Sequence, residues 1–198
     1  MSTVGPDVVR HLAARLPPGI HVLDAPVLGS VPQATEGSLK VFVGGDADVF
    51  ERWRTVLEAM GTPTHLGPLG SGAAMKLVAN STLGAAMCGL AEALALADAL
   101  GLGEGAVLDI LAESPIGATV RGKRTLIEGG DYRPANFKLA LAAKDLGLVT
   151  GAAEAAGVDL RLARAACAWF AQAEAAGLGD RDYSAVIAAA RGQATGGA

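Results

Sequence analysis

Residues 71–100 read SGAAMKLVANSTLGAAMCGLAEALALADAL and predict one long helix. The run contains no proline, and most of its residues are good helix formers. Ser71 is a plausible N-cap and Gly101 a plausible C′ residue, which gives a helix of about 28 residues and ~42 Å. Apolar residues surround the helix axis, a pattern that is typical of a helix buried on most sides.

Lys76 and Asn80 interrupt this apolar surface, and their spacing of four places them on one face. Burial disfavours the ammonium form of a lysine, and this is how an amine takes part in proton transfer near neutral pH. The residues alone leave two interpretations open: a lysine whose amine reaches solvent, and a functional lysine. A membrane-spanning helix is a weaker alternative, because polar residues such as Glu92 interrupt the run and basic flanking clusters are absent.

The composition is typical of a soluble globular protein. The 198 residues are 51% hydrophobic and 18% charged, enough for one large or two small domains. The net charge of −4 comes without a basic block, which argues against nucleic-acid binding. Cys88 and Cys167 lie in apolar helical contexts and are expected to be free thiols, and the three histidines lack the spacing of metal ligands. No signal peptide is visible, so we expect a cytoplasmic protein.

Strand and helix patterns alternate before Gly70, and only helix patterns follow it. The first part predicts a helix over 7–16, strands over 21–27, 39–43 and 64–66, a loop with a possible helical turn over 28–37, and a helix over 48–60. The second part predicts helices over 104–113, 119–128, 138–156, 160–176 and 183–191. We therefore expect an α/β unit over 1–70, an all-helical domain over 71–192 and a frayed tail over 193–198.

Two segments are candidates for chemistry. Gly29 follows a predicted strand, where backbone N–H groups could hold a carboxylate, although an ordinary strand-to-helix loop explains it as well. Asp24 could brace this loop or contact a ligand. Lys144 and Phe137 could line a cleft, although a solvated pair of Lys144 with Asp145 is the alternative. No GxGxxG follows a strand and opens a helix, so the residues alone predict no complete dinucleotide site.

Four motifs, in this order, carry a family resemblance. DAPVLGSVPQATEGSLKVFVGGD (24–46) looks like the substrate loop of the β-hydroxyacid dehydrogenases, the 3-hydroxyisobutyrate dehydrogenase family. GSGAAMKLVAN (70–80) resembles their catalytic-lysine motif, and NFKLALAAKDLGL (136–148) is similar to their C-terminal cofactor-side motif. DYSAVI (182–187) resembles the end of their sequences.

The resemblance implies an NAD(P)-dependent oxidoreductase that transfers hydride between nicotinamide and a small hydroxy acid or its aldehyde or keto form. Lys76 would be the general acid/base and Asn80 would orient the substrate. The resemblance also implies the roles of six further residues: Leu28, Gly29 and Ser30 for the substrate, and Thr3, Phe137 and Lys144 for NAD or NADP. The fold would be an α/β remnant of a Rossmann-type domain and an all-α domain like the C-terminal domain of 6-phosphogluconate dehydrogenase.

A homodimer through the long central helix is implied as well, without nucleic-acid or membrane partners. The sequence departs from the family in its loop, which usually reads DAPVSGG. Leu28 replaces a serine and Ser30 replaces a glycine. We therefore expect a bulkier or less polar substrate, or a substrate carboxylate that binds in a shifted position.

The second departure concerns the cofactor. The family has a glycine-rich βαβ unit of roughly 90 residues before the ST-x-x-P segment that STVGP (2–6) matches, and this unit is not in the sequence. We expect the 198-residue form to bind NAD(P) weakly or not at all. The hypotheses are a fragment or mis-started reading of an enzyme, a catalytically inactive helical dimerisation or binding module, and an imine-reductase-like enzyme. Lys76 counts against the last, because such enzymes usually lack this lysine.

Overall fold

The computed structural model describes residues 3–193, which form two compact units. The first unit ends at Asn80 and the second begins at Ser81, inside one continuous helix, Ser71–Ala99. The domain boundary predicted near Gly70 lies just before this helix and stays a prediction. Of the predicted tail over 193–198, residues 194–198 lie outside the described part of the chain.

The first unit contains a three-stranded sheet. Its elements are α1 Pro6–Ala14, β1 Val27–Leu28, α2 Val31–Thr35, β2 Leu39–Val43, α3 Ala47–Glu58 and β3 Gly61–His65. The strand order is β1-β2-β3, with β2 antiparallel to β1 and parallel to β3. Helix α3 is therefore the crossover of a βαβ unit, and its Phe50 and Leu57 pack with Val41 and Val43 of β2.

The strand predicted over 21–27 is wrong in its extent. Asp24 forms an isolated antiparallel bridge with Gly44, and only Val27–Leu28 continues as a strand. Pro26 lies between them and has no N–H to donate to a ladder, which explains the interruption. The other strands and helices of this unit form within three residues of their predicted ends.

The described part of the second unit is helical. After α4 (Ser71–Ala99) come α5 Glu104–Ala112, α6 Gly117–Gly129, α7 Leu139–Ala155, α8 Arg161–Ala173 and α9 Val186–Ala190. A π-helical turn, Glu174–Leu178, follows α8, and a 3₁₀ turn, Tyr183–Ala185, precedes α9. The helix predicted over 160–176 corresponds to α8 and the start of the π-helical turn, and the helical backbone is interrupted at Gly177, which has a left-handed φ of 82°.

Helix α4 contributes the centre of the second unit's core. Its Met87, Leu90 and Leu94 are fully buried and pack in one cluster with Phe170 of α8 and Ile187 of α9. The prediction of a helix buried on most sides holds only in part, because Val78 and Leu96 of the same helix are 57% and 60% exposed. By length and composition alone α4 could also cross a membrane, a test that the core helices of soluble proteins pass too.

Small residues let the helices of this unit approach closely. At Gly84 of α4 a Cβ atom would lie 2.6 Å from Leu146 Cδ2 of α7, so no larger residue fits without movement. The predicted end of α4 is confirmed, because Gly101 has a φ of 73° and its N–H donates to Asp98 O at 3.0 Å.

A buried ion pair joins three parts of the second unit. Lys123 Nζ on α6 lies 2.8 Å from Asp182 Oδ1 and 2.9 Å from Oδ2. Asp182 is fully buried and also accepts hydrogen bonds from the backbone N–H groups of Asn136 and Ser184, each at 3.1 Å. The last two sequence motifs therefore meet at this carboxylate.

Both cysteines are free thiols, as predicted. Cys88 is buried on α4, and this burial, with a smaller contribution from the charge of Glu92, raises the pKa of its thiol to about 12. Cys88 is therefore protonated and unreactive at neutral pH. Among residues 3–193, no group of three or more His, Cys, Asp and Glu side chains is arranged to hold a metal ion.

We predict that Lys123→Met lowers the free energy of unfolding by about 3–5 kcal/mol, because Asp182 would remain a buried carboxylate without a counter-charge. The control is Lys138→Met, which removes an ion pair with Asp180 in which both side chains are more than half exposed. This change should cost less than about 1 kcal/mol. Urea unfolding followed by circular dichroism measures both, and equal losses would contradict the prediction.

Candidate active site

Asp24 joins the first two sequence motifs. Its side chain is buried, Oδ1 accepts a hydrogen bond from the Gly70 N–H at 2.7 Å, and Oδ2 accepts one from the Ala73 N–H at 2.6 Å. The N-terminus of a helix has unpaired peptide N–H groups and a partial positive charge, so a carboxylate is its preferred partner. The sequence left two roles open for Asp24, bracing the loop or contacting a ligand. In the structure its carboxylate braces the start of α4. Ser71, the predicted cap, is the first helical residue instead.

Gly44 and Gly72 make room for this carboxylate. A Cβ atom on Gly44 would lie 2.4 Å from Asp24 Oδ1, and one on Gly72 would lie 2.4 Å from the carbonyl oxygen of Phe42. Real side chains do not tolerate such distances, so both positions require glycine for space. Nothing in the local sequence signals this role, since the contacts join segments that are far apart in the chain.

Lys76 and Asn80 lie on α4, as predicted. Lys76 is half-buried, and Asn80 is only 4% exposed. Lys76 comes three residues after Ala73, about one helical turn beyond the hydrogen bond with Asp24. The amine therefore projects from a turn of helix whose position is set by a buried contact.

The substrate loop predicted at Leu28–Ser30 connects β1 with α2. Gly29 has a φ of 136°, and a Cβ atom there would lie 2.6 Å from Leu39 Cδ2, so the turn requires glycine. Leu28 is 38% exposed at the end of β1. Ser30 is the N-cap of α2, and its backbone N–H donates to Gln33 Oε1 at 2.9 Å. A carboxylate that takes this N–H must displace Gln33, a residue that the sequence interpretation missed.

Two of the predicted cofactor residues belong to the second unit. Phe137 is half-buried, and its ring centre lies 5.7 Å from that of Tyr183. Lys144 on α7 is paired with Asp145 Oδ1 at 2.8 Å, and its side chain is 49% exposed. The third, Thr3, is half-buried before α1 in the first unit, which also holds Leu28, Gly29, Ser30, Lys76 and Asn80.

In dinucleotide-binding folds the diphosphate binds at a turn from a strand to a helix. The turn between β2 and α3 is of this type and carries two adjacent glycines. There the space beside Gly44 is filled by Asp24. The N-terminus of α3 is capped by Asp46, whose Oδ1 accepts from Asp48 N–H at 2.9 Å and Val49 N–H at 3.2 Å. A carboxylate in this position repels a second anion. This turn therefore does not fit the diphosphate of NAD(P).

Comparisons with known proteins match families over residues 1–190. Residues 70–190 match the family described as NAD-binding of NADP-dependent 3-hydroxyisobutyrate dehydrogenase. Residues 1–74 match the NAD binding domain of 6-phosphogluconate dehydrogenase.

Individual relatives agree with these matches. The chain is 36% identical over 191 residues to 2-(hydroxymethyl)glutarate dehydrogenase of Eubacterium barkeri, covering 94% of this chain and 63% of that protein. It is 34% identical over 172 residues to glyoxylate/succinic semialdehyde reductase 2 of Arabidopsis thaliana, covering 86% and 48%. The chain therefore spans 48% and 63% of the length of these two relatives.

A solved structure has the same fold. The Mycobacterium tuberculosis 3-hydroxyisobutyrate dehydrogenase, determined with L-serine, aligns with a TM-score of 0.84 and 33% identity. The alignment covers 96% of this chain and 68% of that one.

We predict that Gly72→Ala lowers the free energy of unfolding by about 1–3 kcal/mol, because the new methyl group meets backbone atoms that cannot rotate away. The control is Gly89→Ala, at an exposed position of the same helix where a Cβ atom meets nothing within 4 Å. That change should stabilise the protein by about 1 kcal/mol. Urea unfolding measures both, and a Gly72→Ala variant as stable as Gly89→Ala would contradict the close approach.

Proposed function

Because the chain belongs to the 3-hydroxyisobutyrate dehydrogenase family of NAD(P)-dependent β-hydroxyacid dehydrogenases, we propose that it acts in hydride transfer between nicotinamide and a small hydroxy acid or its aldehyde or keto form. One observation carries the proposal: a half-buried lysine and a buried asparagine, Lys76 and Asn80, share a face of α4 just after the turn that Asp24 anchors. Such an amine is suited to proton transfer at a substrate oxygen.

In this proposal Lys76 holds and moves one proton. Its ammonium group donates a hydrogen bond to the substrate carbonyl oxygen and gives up that proton as the oxygen becomes a hydroxyl; in the oxidation direction the neutral amine takes the proton back. The Asn80 amide, one turn further along α4, orients the substrate through hydrogen bonds. NAD or NADP supplies or accepts the hydride when bound.

The substrate is proposed to carry a carboxylate. The names of the relatives support this, since glyoxylate, succinic semialdehyde and 2-(hydroxymethyl)glutarate are all carboxylic acids. The backbone N–H groups of Gly29 and Ser30 would hold it once Gln33 has moved away. Leu28 beside them favours a bulkier or less polar substrate. Thr3, Phe137 and Lys144 are proposed to contact the cofactor.

A second candidate is a catalytically inactive helical dimerisation or binding module. The poor fit of the β2–α3 turn to a diphosphate favours it. Under this alternative Lys76 has no catalytic role, so the same variants distinguish the two. A cytoplasmic location without membrane or nucleic-acid partners is part of both proposals.

We predict that Lys76→Ala lowers kcat roughly 10²–10⁴-fold, because the proton donor is lost while the binding groups remain. The measurement follows NADH or NADPH absorbance with glyoxylate and succinic semialdehyde, using a form of the protein that turns over. Lys40→Ala, on the exposed side of β2, is the control and should leave kcat unchanged. Comparable turnover in Lys76→Ala would end the catalytic assignment.

For the 198-residue chain we predict weak binding of NADH and NADPH, without saturation at micromolar concentrations, because its sequence has no GxGxxG turn between a strand and a helix and the β2–α3 turn offers no diphosphate cradle in its place. Fluorescence titration measures this. Reduced nicotinamide mononucleotide, which lacks the second phosphate and the adenosine, should bind about as well as NADH. A micromolar dissociation constant for either dinucleotide would contradict the prediction.

The chain is also proposed to form a homodimer through α4. Large exposed apolar side chains on the second unit support this: Leu96 near the end of α4 and Leu100 just after the helix are 60% and 67% exposed. A large contiguous patch of apolar surface marks an interaction site.

Light scattering is predicted to give a dimer mass for the wild type and a monomer mass for Leu96→Glu combined with Leu100→Glu, because the charges would be buried in the interface. Leu162→Glu, at an equally exposed leucine of α8, is the control and should stay dimeric. A monomeric wild type at working concentration would contradict the proposal.

A further inference from the structure

Asp24 has no role in the proposed proton transfer, yet both of its carboxylate oxygens are engaged in the same unit as Lys76. They accept hydrogen bonds from Gly70 N–H at 2.7 Å and Ala73 N–H at 2.6 Å, at the start of α4. Contacts between an ionised carboxylate and peptide N–H groups are short and roughly twice as strong as neutral ones. This contact is therefore a strong local determinant of where α4 begins.

The backbone of Asp24 is held as firmly as its side chain. Its N–H donates to Gly44 O at 3.0 Å, and its carbonyl oxygen accepts from the Gly44 N–H at 2.9 Å. Gly44 directly follows β2, the strand that pairs with Val27 and Leu28. The carboxylate is thus attached to the sheet on one side and to the helix on the other.

Asp24 is connected to both parts of the proposed site. Lys76 lies three residues beyond Ala73 on α4, and Gly29 lies five residues beyond Asp24 along the chain. A helical turn is stiff, with a rise of about 4.5 Å over three residues, so a shift at Ala73 becomes a shift at Lys76. The Asp24 contacts therefore determine the separation between the proposed carboxylate-binding loop and the amine.

We propose that Asp24 is a positioning residue, which holds Lys76 at its working distance from the Leu28–Ser30 loop through the first turn of α4. The inference rests on the proposed function, since it assumes that Lys76 is the proton donor. In this proposal Asp24 affects kcat and not KM. The loop that would bind the substrate carboxylate stays attached to β2 when the contact between Asp24 and the helix is lost.

The first unit offers a matched control for this experiment. Asp46 is a second aspartate whose carboxylate accepts from two N–H groups at a helix start, those of Asp48 and Val49 on α3. Helix α3 carries none of the proposed site residues. Asp24→Asn and Asp46→Asn both keep the side-chain size. At Asp24 one of the two oxygens that accept from N–H groups becomes an amide donor, whereas at Asp46 both N–H groups donate to the same oxygen, which an amide can also supply.

The first measurement is the rate at which an amine-reactive ester acylates Lys76 in the folded chain, quantified by mass spectrometry relative to exposed Lys40. Asp24→Asn should raise the Lys76 to Lys40 ratio several-fold, because the half-buried amine is released with the first turn. Asp46→Asn should leave the ratio unchanged even where it destabilises the protein equally. An unchanged ratio in Asp24→Asn, or an equal rise in both variants, would overturn the proposal.

The second measurement is steady-state turnover. Asp24→Asn should lower kcat about tenfold or more with KM within about twofold of the wild type. Asp46→Asn should change neither. An Asp24→Asn variant with wild-type kcat, or one in which only KM changes, would overturn the proposal. The Lys76→Ala variant would still test the proposed reaction independently.

If Lys76→Ala retains its turnover, the proposed function fails, and the acylation ratio still shows whether Asp24 holds the lysine. Should Asp24→Asn not fold by circular dichroism, Asp24→Ser is the substitute, because a serine hydroxyl can accept from one of the two N–H groups. The same two measurements then apply to it.

Discussion

The carboxylate of Asp24 is buried, and a buried charge is stable only where hydrogen bonds replace the water it has lost. The start of α4 supplies them through two peptide N–H groups, together with the positive end of the helix dipole. The arrangement constrains its surroundings in turn. Gly44 and Gly72 have no room for a side chain, so the sheet and the helix approach closely only while both remain glycine. The position of Lys76 follows from this contact.

The second unit uses a buried aspartate as well, with a different partner. Asp182 is balanced by the ammonium group of Lys123 and by backbone N–H groups. A pair of this kind contributes little net stability compared with apolar residues, but removing one partner is strongly destabilising. The pair connects α6 with the loop before α7 and the segment before α9. The surrounding core is built largely from alanine and leucine, which carry no polar groups that could set such a register.

The described residues fit the proposed proton transfer better than they fit the binding of a dinucleotide. The described residues provide a lysine on a well-anchored helix and a glycine turn that a carboxylate could use. The β2–α3 turn, where a diphosphate would be sought, is instead closed by Asp46 and by the packing of Gly44 against Asp24. Anion binding at a helix start needs unoccupied N–H groups, and here a side chain of the protein already has them.

Local pattern was sufficient to predict the elements and part of the site. The helices, strand β2 and the shared face of Lys76 and Asn80 depend on residues only a few positions apart, and such spacing can be read directly. The strand over 21–27 was overestimated, because its pairing depends on a partner strand and is interrupted at Pro26.

Only the tertiary structure determined which side chains and backbone groups come into contact. Asp24 bonds to residues 46 and 49 positions away, and Lys123 to one 59 positions away. Such pairings arise when distant segments are packed side by side, and nothing in the neighbouring residues specifies them. The residues indicated a candidate amine for proton transfer, and the packing of the sheet against the helix determined which groups surround the start of the helix that carries it.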